Sequence, residues 1–191
     1  MRALLTGLFL ILLPALAMAD GQLQSVLTSN DHDRLARFDA ILEDALDEAR
    51  SGGDAKDVTL LDDVISGAPQ PLAGAFDPSG NWRCRTIKLG GILPLTVYPW
   101  FKCKIEDDGA GWRLRKLTGS QRTEGRFYTE SDTRLIYVGA GHVNGERPRR
   151  YGDDPKENQV AVVERRGRNR ILLFFPAPYY ESKLDLLVLE R

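Results

Sequence analysis

The amino-acid sequence predicts a mainly β protein with an N-terminal helix: an eight-stranded antiparallel up-and-down barrel with an acidic helix packed outside it. Three observations carry that prediction. From Gly80 onward apolar residues recur with a period of two, in short runs separated by turn residues. Before that point one long stretch carries them at spacings of three and four. Charge divides in the same place: residues 20–77 hold 13 acidic and 4 basic side chains, whereas residues 78–191 hold 14 and 21.

In chain order, the first element is a segment to be removed. Arg2, the apolar run 3–13, Pro14 and the small residues Ala17-Met18-Ala19 have the layout of a signal peptide over 1–19. The run is too short, and too broken by Pro14, to serve as a membrane anchor. The expected location is therefore periplasmic or secreted, in a bacterium, with no transmembrane anchor after cleavage. Cys84 and Cys103 are the only cysteines, and an oxidising compartment would join them.

The helix is expected over 29–50. Ser29, Asn30 and Asp31 offer capping side chains, Leu35, Phe38, Leu42, Ala45 and Ala49 form its apolar stripe, and Ser51-Gly52-Gly53 stops it. A shorter helical piece at 57–66 and a linker containing Pro69, Pro71 and Pro78 complete the segment 20–78. The barrel domain, 79–191, has strands near 81–89, 97–106, 111–117, 121–129, 133–143, 159–166, 169–175 and 183–190. Closing such a meander removes its exposed edges, with a two-sheet sandwich as the alternative. If Cys84 faces Cys103, then Trp82 faces Ile105 and Thr86 faces Phe101. Arg83, Arg85, Lys102 and Lys104 then share the opposite face, which Arg113 and Arg115 extend. The runs 135–138, 171–175 and 184–189 are apolar on both faces, so they need a cover, and the helix is the candidate.

A formal net charge of -1 argues against a nucleic-acid partner. The uneven halves have two readings, intramolecular pairing or a basic surface that recruits an anion. Motifs for chemistry are poor. Gly139-Ala140-Gly141-His142-Val143-Asn144-Gly145 lacks the third glycine of a dinucleotide loop, and no helix follows it. His32 and His142 have no second ligand at metal spacing, and Ser120 lacks a nucleophile elbow. No enzyme activity, metal or cofactor is expected. Three stretches stand out: Leu93 to Phe101, rich in aromatics and proline; Ser120-Gln121-Arg122; and Arg147, Arg149, Arg150 and Tyr151 in the long connection 143–158.

Gly80-Asn81-Trp82 resembles the Gly-x-Trp opening of lipocalin-like barrels, where the tryptophan closes one end of the cup. Four longer stretches resemble an uncharacterised exported bacterial family, domain of unknown function 4893: Trp82 to Gly91, Tyr98 to Cys103, Gly119 to Thr123 and Phe175 to Ser182. That resemblance spans nearly all of the mature chain and brings no activity with it. The expected function is a periplasmic lipocalin-like protein binding a small apolar or amphipathic ligand. Trp82, Phe101, Trp112 and Tyr137 would line the cup, and Arg122, Arg149, Arg150 and Tyr151 would hold a polar head. The alternative is a protein-interaction module of the cell envelope, similar to peptidase or lysozyme inhibitors, with Tyr98 and Trp100 as contact residues.

Overall fold

The computed structural model describes residues 19–72 and 76–191, so the first 18 residues of the expected signal peptide lie outside the described residues. The alternating region folds into β1 (Gly80–Leu89), β2 (Leu95–Val97), β3 (Phe101–Asp107), β4 (Trp112–Lys116), β5 (Gln121–Thr129), β6 (Arg134–Val143), β7 (Asn158–Arg165), β8 (Arg170–Pro176) and β9 (Leu184–Glu190). Strands from β3 to β9 pair antiparallel in chain order, and β9 returns to pair β1 from Arg83–Glu190 to Leu89–Leu184. The barrel is closed and has eight staves, because β2 and β3 lie in succession along one edge of β1. The strand expected at 97–106 is interrupted at Tyr98-Pro99-Trp100, where Pro99 has no N–H for the ladder. The Trp100 ring lies beside the guanidiniums of Arg83 and Arg85, at 4.3 and 4.0 Å.

The expected register of this hairpin is off by two. Trp82 lies opposite Cys103 and Cys84 opposite Phe101, so the disulfide crosses on a diagonal with its Cα atoms 5.9 Å apart. Alternation fixes which face a residue occupies, and a slip of two keeps every face.

The barrel interior is packed with its own side chains. Trp82, Ile105, Leu114, Tyr137, Val163, Leu173 and Leu189 form one buried cluster with the disulfide. Tyr137 fits because Gly125 and Gly139, paired beside it, carry no side chain; a Cβ on Gly139 would come within 2.4 Å of the Tyr137 hydroxyl. Leu72 and Phe76 close one end. There Trp82 donates from Nε1 to the Pro78 carbonyl at 2.8 Å, and Phe76 meets Trp112 edge-on at 6.5 Å.

The outward side chains of β1, β6, β7, β8 and β9 form a second apolar cluster under the helices. These are α1 (Ala19–Val26), α2 (Ser29–Ala36), α3 (Phe38–Gly52) and α4 (Ala55–Ile65). The single helix expected at 29–50 is two, broken at Arg37. Each half docks differently. In α3, Phe38, Ala45 and Ala49 are buried, and Phe38 packs edge-on against Phe174 with centroids 5.9 Å apart. In α2 the buried residues are polar. Arg34 donates from Nη1 to Asp31 Oδ1 at 2.8 Å and to the Asn158 carbonyl at 3.2 Å, and from Nε to the Pro176 carbonyl at 2.9 Å. Asp31 also accepts from the hydroxyls of Thr28 and Tyr151.

Charge pairing between helices and barrel is sparse. Lys183 reaches Asp44 at 2.7 Å and Glu48 at 2.8 Å, and Arg170 reaches Asp63 at 3.5 Å. The basic outer face is mostly neutralised within the barrel: Arg83 pairs with Glu190, Arg113 with Glu124, and Lys104 and Arg115 with Glu106.

Candidate binding site at the barrel mouth

The inward positions follow strictly from alternation, so extending each strand by two residues shows what lines the end opposite Leu72 and Phe76. Along β1 the inward series is Trp82, Cys84, Thr86, Lys88; along β4 it is Trp112, Leu114, Lys116. Both series end on a lysine. β5 adds Thr123, β7 adds Gln159, and β9 adds Asp185. The mouth is therefore polar, while the rest of the lumen is apolar.

Two chambers occupy this end. The inner one holds about 50 Å³ between Thr86, Lys116, Thr123, Gln159, Phe175 and Asp185. It shares Arg122, Gln159, Phe175 and Asp185 with an outer vestibule of about 180 Å³, which Lys88, His142, Lys156 and Tyr179 also border. A water molecule occupies about 30 Å³ of liquid, so the inner chamber suits a carboxylate or a phosphate oxygen cluster and excludes a hydrocarbon chain.

The two lysines are both more than nine-tenths buried, at 8% and 9% exposure, but their electrostatics differ. Burial opposes the Lys88 ammonium, yet Asp185 at 3.0 Å and Glu181 at 3.3 Å outweigh it and raise the pKa above the ordinary lysine value. Lys116 has no such partner. It donates to Thr86 Oγ1 at 3.2 Å and lies 4.6 Å from the Phe101 ring centroid, with no carboxylate among the described residues in ion-pair range. Burial pushes its pKa down to about 8, a loss that nearby Asp185 offsets only in part. Below the lysine, Tyr137 holds its hydroxyl 2.6 Å from Thr123 Oγ1, and Thr123 donates to Gln159 Oε1. Burial pushes the Tyr137 phenol up, so it stays neutral. At the vestibule wall His142 keeps its Nδ1 shut from solvent without a hydrogen-bond partner.

The four residues expected to line an apolar cup all belong to the filled interior or pack against it. Trp82 and Tyr137 are 3% and 0% exposed and belong to the packed interior. Trp112 packs at the closed end, and only Phe101 reaches the mouth, beneath Lys116. Of the expected head-binding residues, Arg122 lines both chambers and donates from Nε to the Gly119 carbonyl at 3.2 Å. Arg149 pairs locally with Asp154 at 2.9 Å, the Arg150 amide donates to Asp153, and Tyr151 fastens α2. Trp100 packs against its two arginines, and Tyr98 is half-exposed beside it. The residues that residue-by-residue reading missed are Lys88, Lys116, Thr123, Gln159 and Asp185.

Comparison with known proteins gives one match. A family model described as Domain of unknown function (DUF4893) fits residues 23–189. No curated protein and no solved structure matches the chain.

Proposed function

We propose a binding role for this chain, which belongs to the DUF4893 family of domains of unknown function: it takes the anionic head group of a small amphipathic ligand into the barrel mouth. One observation carries the reading. Lys116 is a buried ammonium that makes no ion pair among the described residues, placed in a chamber of head-group size. An uncompensated buried charge destabilises a fold, and such groups concentrate where a ligand completes them. Arg122 and the amide of Gln159 supply further donors, and Phe175 and Tyr179 give the ligand's apolar part a wall to lie on. Asp185 is held by Lys88 and Ser182. The disulfide and the N-terminal sequence support a periplasmic setting.

Calorimetric titration with decanoate, and with decanol as its uncharged counterpart, tests the reading. Decanoate is expected to bind and decanol not. Lys116→Met should weaken decanoate about tenfold or more, the cost of one charge-assisted hydrogen bond. Arg149→Ala with Arg150→Ala should change nothing. Equal binding of the two compounds, or an unaffected Lys116→Met variant, would overturn it.

A further inference from the structure

The two ends of the barrel differ in a way that the head-group site does not explain. Seven large apolar side chains are exposed among the described residues. Five of them, Ile92, Leu93, Leu117, Tyr179 and Tyr180, stand on the connections at the mouth, Val143 ends β6 there, and Tyr98 lies in the mouth half of the wall. The connections at the other end read Asp107-Asp108-Gly109-Ala110-Gly111, Glu130-Ser131-Asp132-Thr133 and Arg166-Gly167-Arg168-Asn169, and hold none.

These side chains form a rim of separate tips. Ile92 and Leu93, 78% and 59% exposed, cap the β1–β2 turn, and the Ile92 amide donates to the Glu181 carbonyl, which ties this turn to the β8–β9 connection. On that connection Tyr179 and Tyr180, 60% and 54% exposed, stack edge-on at 4.8 Å. Ala177 and Glu181 flank the pair with φ of 43° and 72°, a left-handed conformation that non-glycine residues adopt only at a cost. Cations sit inside and between the tips. Among the described residues the exposed Arg147 and Lys156 make no ion pair, and Lys156 lies 5.2 Å from the Tyr179 ring.

We propose that this rim docks the protein, mouth down, on the surface of a bilayer containing anionic lipid. A protein partner calls for a contiguous apolar core with charge kept to its edge. Here apolar and tyrosine tips stand among exposed cations on the same connections. That pattern suits the headgroup layer, where tyrosines favour the interface and unpaired cations meet lipid phosphates. The inference rests on the mouth connections and not on the Lys116 chamber, so either proposal can fail alone.

Vesicle flotation tests it, using the chain recovered from the soluble periplasmic fraction of an expressing bacterium. The probes are vesicles of phosphatidylcholine alone and of phosphatidylcholine with phosphatidylglycerol. Wild type should float with the second and stay in solution with the first. Two variants, Ile92→Ser with Leu93→Ser and Tyr179→Ser with Tyr180→Ser, should each lower partition about tenfold or more, with thermal unfolding unchanged because the side chains are exposed. Ala110→Ser with Asn169→Asp, at the far end, should leave flotation as in wild type. Absence of flotation, equal flotation with both vesicles, or rim variants that float like wild type would overturn the proposal. So would a dimer in solution that the rim variants dissociate, since that would assign the rim to a second copy.

Discussion

Lys116 is the residue at which stability and the proposed function oppose each other, and pH separates the two. Its folded pKa is about 8, below the ordinary lysine value of 10.5. Below pH 8 both folded and unfolded chains hold the proton, and the fold bears the full penalty of a buried ammonium. Between pH 8 and 10.5 the unfolded chain keeps a proton that the folded chain has shed, so this lysine's contribution to stability rises with pH. Lys116→Met is therefore expected to be more stable than wild type at pH 7, by up to about 3 kcal/mol, with the gap closing as pH approaches 10. Denaturant titrations at pH 7 and 10 check this, and a variant less stable at pH 7 would contradict it. Anion binding has the opposite slope, strong below pH 8 and declining above it. The interior aromatics behave otherwise: Trp82→Ala should cost about 3–5 kcal/mol by leaving a cavity, with decanoate affinity retained. A loss of affinity without destabilisation would return Trp82 to the ligand site. Lys116 was legible in the sequence. Trp112 and Leu114 are read as inward, and alternation then forces Lys116 inward; Trp82, Cys84 and Thr86 likewise lead to Lys88. The arginines of the longest connection are the more conspicuous signal, but Arg149 there is taken up by Asp154.

At the scale of elements, α2 is held by a polar latch instead of an apolar stripe. Asp31 is fully buried, paired with Arg34 and accepting from Thr28 and Tyr151, while Arg34 satisfies two carbonyls of the barrel rim. Removing one partner of a buried pair strands the other charge, so Asp31→Asn is expected to cost about 3 kcal/mol. Tyr151→Phe should cost about 1–2 kcal/mol alone and less on the Asp31→Asn background, because both act on one network. Thermal unfolding of the four proteins measures the coupling, and additive effects would show that the latch is not a unit. This latch is also why one expected helix became two. Period three-and-four spacing runs through Leu35 and Phe38 without a gap, so nothing in the hydrophobic pattern marks the turn at Arg37. Seven of the eight expected strands were legible to within a residue, because Gly, Pro and Asp punctuate them, and the strand expected at 97–106 was not. The cysteine register was not, since alternation is indifferent to a slip of two. Covering of the doubly apolar strands followed from composition alone, and the helices fulfil it through Phe38, Ala45 and Ala49.

For the whole molecule, the question is whether charge or apolar burial holds the acidic helices to the basic barrel. On an electrostatic account, deleting residues 20–66 would free a folded barrel of net positive charge that captures anions. The contacts argue differently. Among the described residues only Lys183 and Arg170 make ion pairs from the barrel to helix carboxylates, whereas Leu61, Val64, Phe38 and Ala45 cover Ile87, Val162, Phe174, Leu186 and Val188. Those strand residues would become a contiguous exposed apolar face spanning several staves, a surface that soluble monomers avoid. The truncated chain should therefore associate, eluting as high-mass species and binding a hydrophobic dye. Asp44→Asn with Glu48→Gln in the intact chain, which removes the Lys183 pairs, should leave elution and the unfolding midpoint almost unchanged, since exposed pairs contribute little. The same shared burial predicts one unfolding transition, with helical ellipticity and the fluorescence of the interior Trp82 lost together. A monomeric, dye-silent truncation with a cooperative melt would make the barrel an autonomous domain and charge the helices' main attachment.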